Sequence, residues 1–187
     1  IKGDICDYLK LKKVIPKNSY VIHFAAESHV DNSFLSSLIF SKTNALGTHT
    51  LLEVCRFKKN KKIIIISTDE VYGPALGDKL YSEDERHNPT NPYSASKSGA
   101  EQICISYHNT YKIPIMRINV MNAFGETQHV EKFIPKVIKS IINDKIVYIH
   151  SYPDKKRSGT RYYIHARNIA AGVLFLLENG KIGESYN

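Results

Sequence analysis

The sequence has no tryptophan and only three cysteines in 187 residues. Cys6, Cys55 and Cys104 lie far apart, are odd in number and form no C-x-x-C pair, which excludes a disulfide framework and a structural zinc site. They read as small buried residues in a reducing compartment, and a cytoplasmic protein is expected. No apolar run approaches the roughly eighteen residues of a membrane-crossing helix, so no membrane partner is expected. Internal repeats and low-complexity linkers are missing, as are the basic, apolar and small-residue zones of a signal peptide. The first residue is Ile1 and not methionine, and the chain reads as a piece of a longer protein.

Acidic residues are the scarcer sign, 18 against 26 basic ones, for a net charge of +8. The surplus is spread thinly except at Lys58–Lys62, which reads as a solvated turn ahead of an apolar strand. Charge so dispersed does not call for nucleic acid, and an anionic nucleotide ligand suits it equally well. His23, His29 and His129 show no H-x-x-x-H spacing, and no metal site is expected. What is present is a globular composition, 42% hydrophobic and 24% charged, which excludes disordered and fibrous classes.

Tyr20–Phe24 (YVIHF), Lys61–Ser67 (KKIIIIS) and Ile115–Asn119 (IMRIN) are short, β-branched and nearly uniformly apolar where they are strongest. Strands buried on both faces of a parallel sheet read this way. Between them, Asp31 to about Phe57 carries apolar positions compatible with one long helix. Pro92–Tyr111 is the second helix, with Asn91 as its cap and Pro92 at its first position. Strand, helix, strand, long loop, helix, strand is the order of a doubly wound α/β domain. The connection from Ser67 to Asn91 is long for such a unit, and loops of that length are usually functional or disordered. Further on, Glu131–Asn143 reads as a helix, Lys145–His150 as a strand and Tyr152–Thr160 as a polar, basic loop. Ala166–Glu178 reads as a helix with Ile169, Val173, Leu174 and Leu177 on its apolar face, stopping near Gly180.

Three tyrosines have a lysine four positions on: Tyr8/Lys12, Tyr93/Lys97 and Tyr152/Lys156. With twelve tyrosines in the chain the spacing alone says nothing, and context decides. Tyr93 and Lys97 stand in the first turns of an expected helix and share one face. A lysine ammonium near a phenol stabilises phenolate and makes it a usable base. The second cluster, Ser67–Thr68–Asp69–Glu70, falls where the four-isoleucine strand ends, and open parallel sheets bind ligands outside the carboxyl ends of their strands. Adjacent Asp and Glu point in different directions, so one can serve as acid and the other as base, or both can simply be solvated at a turn. The third, Ala25–Ala26–Glu27–Ser28, places small residues at a strand end, where a flat cofactor can approach the backbone or a plain tight turn can form.

On the pieces GDICD (Gly3–Asp7), HFAAESHVD (His23–Asp31), TN (Thr43–Asn44), STDEVYG (Ser67–Gly73), NPYSASK (Asn91–Lys97), NAFG (Asn122–Gly125), EKFIP (Glu131–Pro135), TRYYIHARN (Thr160–Asn168) and GESYN (Gly183–Asn187), the chain resembles the extended short-chain dehydrogenase/reductases of the nucleotide-sugar branch. Within them it is most similar to the NDP-sugar 4,6-dehydratase group (dTDP-glucose 4,6-dehydratase-like). The resemblance implies an α/β, Rossmann-type, doubly wound parallel sheet with part of a smaller C-terminal substrate domain. It divides the chain into a partial NAD-binding region, 1–125, and a partial substrate-binding region mixed with returning Rossmann elements, 126–187. The family's glycine-rich loop on the first strand is absent, because the similarity begins beyond it.

Carried over, Asp4 and Ile5 flank the adenine of NAD, and Phe24, Ala25, Ala26, Ser28, Thr43 and Ser67 line the cofactor. Tyr93 and Lys97 hold the nicotinamide ribose. Glu27, Thr68, Asn122, Glu131, Lys132, Phe133 and Arg161 hold the nucleotide-sugar. The implied catalytic set is Thr68, Asp69, Glu70, Tyr93 and Lys97: Tyr93 takes the 4-hydroxyl proton, Glu70 the C5 proton, and Asp69 protonates the departing 6-hydroxyl. A 4-epimerase has no need of the acid pair, so Asp69–Glu70 discriminates the dehydratase from a 4-epimerase. The same motifs also admit a 5-epimerising dehydratase and a non-catalytic dinucleotide-binding module. The resemblance further implies a homodimer packed through about Ser33–Phe57 and Pro92–Tyr111.

Overall fold

A short helix, α1 (Tyr8–Val14), opens the chain behind Asp7, whose carboxylate accepts from Lys10 N at 3.0 Å. Strand β1 (Tyr20–His23) follows. In this computed structural model, which describes every residue except Leu76, Asp78, His150 and Arg157, the expected long helix is broken. It becomes α2 (Val30–Leu35), α3 (Ser37–Phe40), a π-helical segment (Ser41–Leu46) and α4 (Gly47–Lys58). The break falls at Ser36, with φ −143° and ψ 57°. Serines compete with helical hydrogen bonding and favour helix ends, and two of them stand together there. The widened π turn presents Asn44, buried, towards its neighbours.

Strand β2 (Lys62–Thr68) runs into a 3₁₀ turn (Asp69–Tyr72), and after the long loop come α5 (Pro92–Tyr111) and β3 (Ile115–Val120). Then follow β4 (Asn122–Phe124), α6 (Phe133–Ile142), β5 (Tyr163–His165), α7 (Ala166–Asn179) and β6 (Ser185–Tyr186). The chain divides into two units, Ile1–Val120 with Val173–Asn187, and Met121–Gly172.

In the first unit all four strands are parallel, in the order β1-β2-β3-β6. Ile64 faces Ile22 on one side, and Ile63 faces Ile115 on the other. Ile63, Ile64 and Ile65 are fully buried, as a strand covered on both faces requires. Leu51, Leu52 and Cys55 of α4 and Cys104 and Tyr107 of α5 pack on Ile63, Ile65 and Ile115. Each such side chain contributes about 1.5–3 kcal/mol by leaving water. Cys55 and Cys104 are buried free thiols, and burial raises both to about 12.

The lysine run is only partly a solvated turn. Lys59 and Lys61 are exposed, but Lys58 Nζ donates to Lys12 O at 2.6 Å and Lys62 Nζ to Leu177 O at 2.6 Å, while Asn60 is buried. Helix α7 buries Val173 and Leu176, and Leu174, expected on the covered face, is exposed.

In the second unit, β4 and β5 pair in parallel, Asn122 opposite Tyr163 and Phe124 opposite His165. Glu126 ties this pair to the start of α7, its carboxylate meeting His165 Nε2 at 3.3 Å and Arg167 NH2 at 2.5 Å. Residues 145–149, expected as a strand, take no strand conformation, and His150 lies outside the described residues. Ile146, Tyr148 and Ile149 are exposed there, and a β pattern without a neighbour to complete its ladder forms no strand. Among the described residues no helix is long and apolar enough to cross a membrane, and no three His, Cys, Asp or Glu gather as metal ligands.

Candidate active site

The site of the first unit is assembled at the carboxyl end of β2, from the strand's last residues, the 3₁₀ turn and the first turns of α5. Thr68 is the turn's cap: its hydroxyl accepts from Glu70 N at 3.3 Å and donates to Asp69 Oδ1 at 3.2 Å. Gly73 ends the turn at φ +82°, where a Cβ would meet Asn88 O at 2.5 Å. Beyond it the loop folds back, Asn88 N donating to Val71 O at 2.9 Å. Asn187 fastens the same loop: its backbone N–H donates to Glu83 Oε1, its side-chain Nδ2 donates to Tyr81 O, and its side-chain Oδ1 accepts from Tyr72 OH.

Helix α5 starts where expected. The Asn91 side chain accepts from Ser94 N at 2.8 Å, Ser94 Oγ returns to Asn91, and Pro92 takes the first position. Its end is equally well marked, with Lys112 left-handed at φ 55° and Pro114 beyond. Tyr93, Lys97 and Glu101 lie four residues apart on the buried face of this helix.

Tyr93 is 9% exposed and packs edge-on against Phe40, with ring centroids 6.4 Å apart. Burial raises its phenol well above the ordinary range, the Glu70 carboxylate adds to that, a hydrogen bond with Thr68 opposes it, and Asp69 raises it further. All three acid-turn residues therefore act on this phenol. Lys97 is 4% exposed, and its ammonium donates to Ile66 O at 2.6 Å. Burial lowers it, and Glu101 one turn on pulls it back up.

Glu101 and its partners do not stand out in the sequence. One Glu101 oxygen accepts from Ser67 Oγ and from Asn119 Nδ2 at 2.8 Å; the other faces Arg117 Nε and His87 Nε2, each at 3.8 Å. The network joins the ends of β2 and β3 to α5 directly beneath Lys97, and a buried carboxylate with this many partners resists displacement. Two signals could have exposed it: Glu101 continues the Tyr93–Lys97 face at the next turn, and Arg117 and Asn119 interrupt an otherwise apolar strand.

The segment after β1 is held from the side. Asn44 in the π turn accepts from Glu27 N at 2.8 Å and donates to Glu27 O and to Ser96 Oγ, both at 2.9 Å. It thereby ties 24–28 to α5. Phe24, Ala25 and Ser28 are exposed or half-exposed, and Ala26 and Glu27 half-buried. Thr43 is half-buried beside Asn44. Asp4 is exposed, with its carboxyl held low mainly by the Cys6 N–H at 2.8 Å, and Ile5 packs against Gly47, where a Cβ has no room.

The remaining expected residues stand in the second unit. Asn122 begins β4, and its amide donates to Tyr162 O at 3.3 Å, beside Arg161. Glu131 lies beside His129 at 3.6 Å, and Lys132 and Phe133 form the entry to α6. The structure therefore gathers Thr68, Asp69, Glu70, Tyr93 and Lys97 in one place, and keeps the two expected substrate groups, 122 with 161 and 131–133, on separate elements of the other unit.

A Tyr-x-x-x-Lys pair at the start of a capped helix, facing an acid turn at the end of a central parallel strand, defines the class as an extended short-chain dehydrogenase/reductase with a Rossmann-type fold. The chain belongs to the GDP-mannose 4,6 dehydratase family, whose model matches residues 1–187. It is 41% identical over 198 residues to the dTDP-D-glucose 4,6-dehydratase of Dictyostelium discoideum, covering 100% of this chain and 45% of that protein. Among solved structures it superimposes on DesIV, a dTDP-glucose 4,6-dehydratase from Streptomyces venezuelae with NAD bound, at a TM-score of 0.92 and 32% identity, covering 98% of this chain and 56% of the other. A UDP-glucuronic acid 4-epimerase from Bacillus cereus, also with NAD, gives 0.86 and 31%, covering 99% of this chain and 58% of the other. The chain spans about half the length of the curated relatives it matches.

Proposed function

We propose that the chain carries the reaction centre of an NAD-dependent NDP-glucose 4,6-dehydratase, acting on dTDP- or UDP-glucose to form the 4-keto-6-deoxy sugar. The observation that carries this reading is the placement of Asp69 and Glu70 within electrostatic reach of a buried Tyr93, beside Thr68. A 4-epimerase shares the fold and the tyrosine but does not need the acid pair.

The residues present fit the cofactor. Ala25 and Ala26 offer nothing beyond Cβ at the end of β1, and Lys97 uses one of its three donors on Ile66 O, leaving donors for ribose hydroxyls. Asp4, Ile5, Phe24, Ser28, Thr43 and Ser67 complete the NAD-binding set. Bound there, NAD supplies a hydride acceptor at C4, a hydride donor at C6 and a positive ring charge that favours the phenolate. Burial keeps the Tyr93 phenol protonated; with that positive charge added to Lys97 it would lose its proton to solvent and, as phenolate, would accept the 4-hydroxyl proton while Thr68 holds O4. The 4-ketone acidifies C5. Glu70 takes that proton, Asp69 protonates the leaving 6-hydroxyl, and Glu70 returns a proton to C5 at the end. The two carboxyls have different partners, an amide donor on Glu70 and a hydroxyl donor on Asp69, and the division requires Asp69 to enter the step protonated.

Glu27, Thr68, Asn122, Glu131, Lys132, Phe133 and Arg161 are assigned to the nucleotide-sugar, with 1–125 as the partial NAD-binding region and 126–187 as a partial substrate-binding region mixed with returning Rossmann elements. The exposed Leu35, Leu38 and Phe57 support a homodimer through α2–α5. The free cysteines suit a reducing cytoplasm. With dTDP-glucose and NAD, the product is expected to weigh one water less than the substrate. Glu70→Gln is expected to slow water loss about a hundredfold or more. A product of unchanged mass supports the epimerase, and intact dehydration in Glu70→Gln removes Glu70 from the mechanism.

A further inference from the structure

The side chain of Asn91 has two jobs that few residues can combine. Its Oδ1 accepts from Ser94 N at 2.8 Å and so caps α5, while its Nδ2 donates to Glu70 Oε2 at 3.1 Å. A cap requires only an oxygen, and serine, threonine or aspartate would supply one as well. The asparagine amide alone among the good caps adds an N–H donor, fixed in the same plane as the capping oxygen. Once the cap orients that plane, the direction of the donor is set. The half-buried Glu70 carboxylate, carried by a different element, is thereby held against the first turn of the helix that bears Tyr93 two residues on.

We infer that Asn91 is a positioning residue: its Nδ2 holds the Glu70 carboxylate at a fixed place relative to Tyr93, so that proton removal at C5 is aligned with oxidation at C4. The inference rests on the dehydratase reading above. It separates the two steps, because the tyrosine and lysine side chains are held by other partners, whereas Glu70 depends on Asn91.

Asn91→Ser and Asn91→Thr retain a capping oxygen and lack the amide donor, and Asn91→Asp retains the cap and sets a carboxylate against Glu70. With the intact NAD-loaded protein and dTDP-glucose, Asn91→Ser is expected to lower kcat about tenfold with KM unchanged, the scale of one hydrogen bond to a charged group. The isotope effect from deuterium at C5 should grow, and that from deuterium at C4 should not. Asn91→Asp should be slower still at C5. Thermal unfolding of the cofactor-free Asn91→Ser variant should stay close to that of the parent, because the cap is kept. An unaltered C5 isotope effect in Asn91→Ser overturns the assignment. So does an equal slowing of both steps accompanied by a lower unfolding temperature, which would make Asn91 a cap alone. A parent protein that releases no water from dTDP-glucose defeats the dehydratase reading, and the assignment with it.

Discussion

His23 closes β1 with its imidazole buried, Nε2 3.0 Å from Thr48 Oγ1, and burial, with a smaller contribution from Lys97, lowers its pKa from the usual 6.5 to about 4. The unfolded chain takes up a proton at this residue near pH 6.5 and the folded one only near pH 4. Stability present at pH 7 is therefore lost as the pH falls through that window, by about 3 kcal/mol when the shift is complete. Urea unfolding at pH 7 and at pH 4.5 should show the loss, and His23→Gln should flatten the slope between them. At this scale the sequence was readable where a residue's neighbours are local. Thr68, Asp69 and Glu70 follow one another, and Tyr93 and Lys97 are one turn apart. Glu101 is hidden because Ser67, Asn119, Arg117 and His87 converge on it from three other segments, and no local spacing records that. His23 shows the same limit, since a buried imidazole beside Thr48 and a surface one look alike in a string of residues.

The acid turn depends on Gly73. Its φ of +82° is strained for any side chain, and an added Cβ would stand 2.5 Å from Asn88 O. Gly73→Ala is expected to cost about 1–3 kcal/mol, read as a lower midpoint in thermal unfolding. It should also lower activity, because Gly73 N closes the turn on Glu70 O at 3.2 Å. Helix α5 was legible from its cap and proline, and strand β2, read at Lys61–Ser67 and found at Lys62–Thr68, from four isoleucines. The segment from Asp31 to Phe57 was legible as helical but not as broken. Periodicity runs through Ser36 undisturbed, and the π turn is placed by what Asn44 grips, which is Glu27 and Ser96. Strands β4, β5 and β6 have two or three residues each, too few for alternation to show. Conversely, 145–149 has a strand-like pattern and no partner strand.

For the molecule as a whole, the apolar residues left in water say most. Leu35 and Leu38 are about 85% exposed, and Phe57 and Tyr111 are also open, all on helical elements of the first unit. The proposed homodimer, if it covers them, is expected to fall apart in Leu38→Glu, seen as a halved mass in sedimentation equilibrium, with the fold of each protomer kept. A parent that sediments as a dimer and a variant of the same mass would place the contact elsewhere, and a monomeric parent would remove the dimer. Distance along the chain also sets an order of events. Asn187 holds the loop at Tyr81 from 106 positions away. A ribosome adding about 5–20 residues per second needs roughly five to twenty seconds to cover that interval. While the chain is being made, the acid turn and its loop are thus already outside the tunnel, waiting for their clasp. A nascent chain stalled just before Asn187 should be cut by protease in this loop, and one released beyond it should be protected.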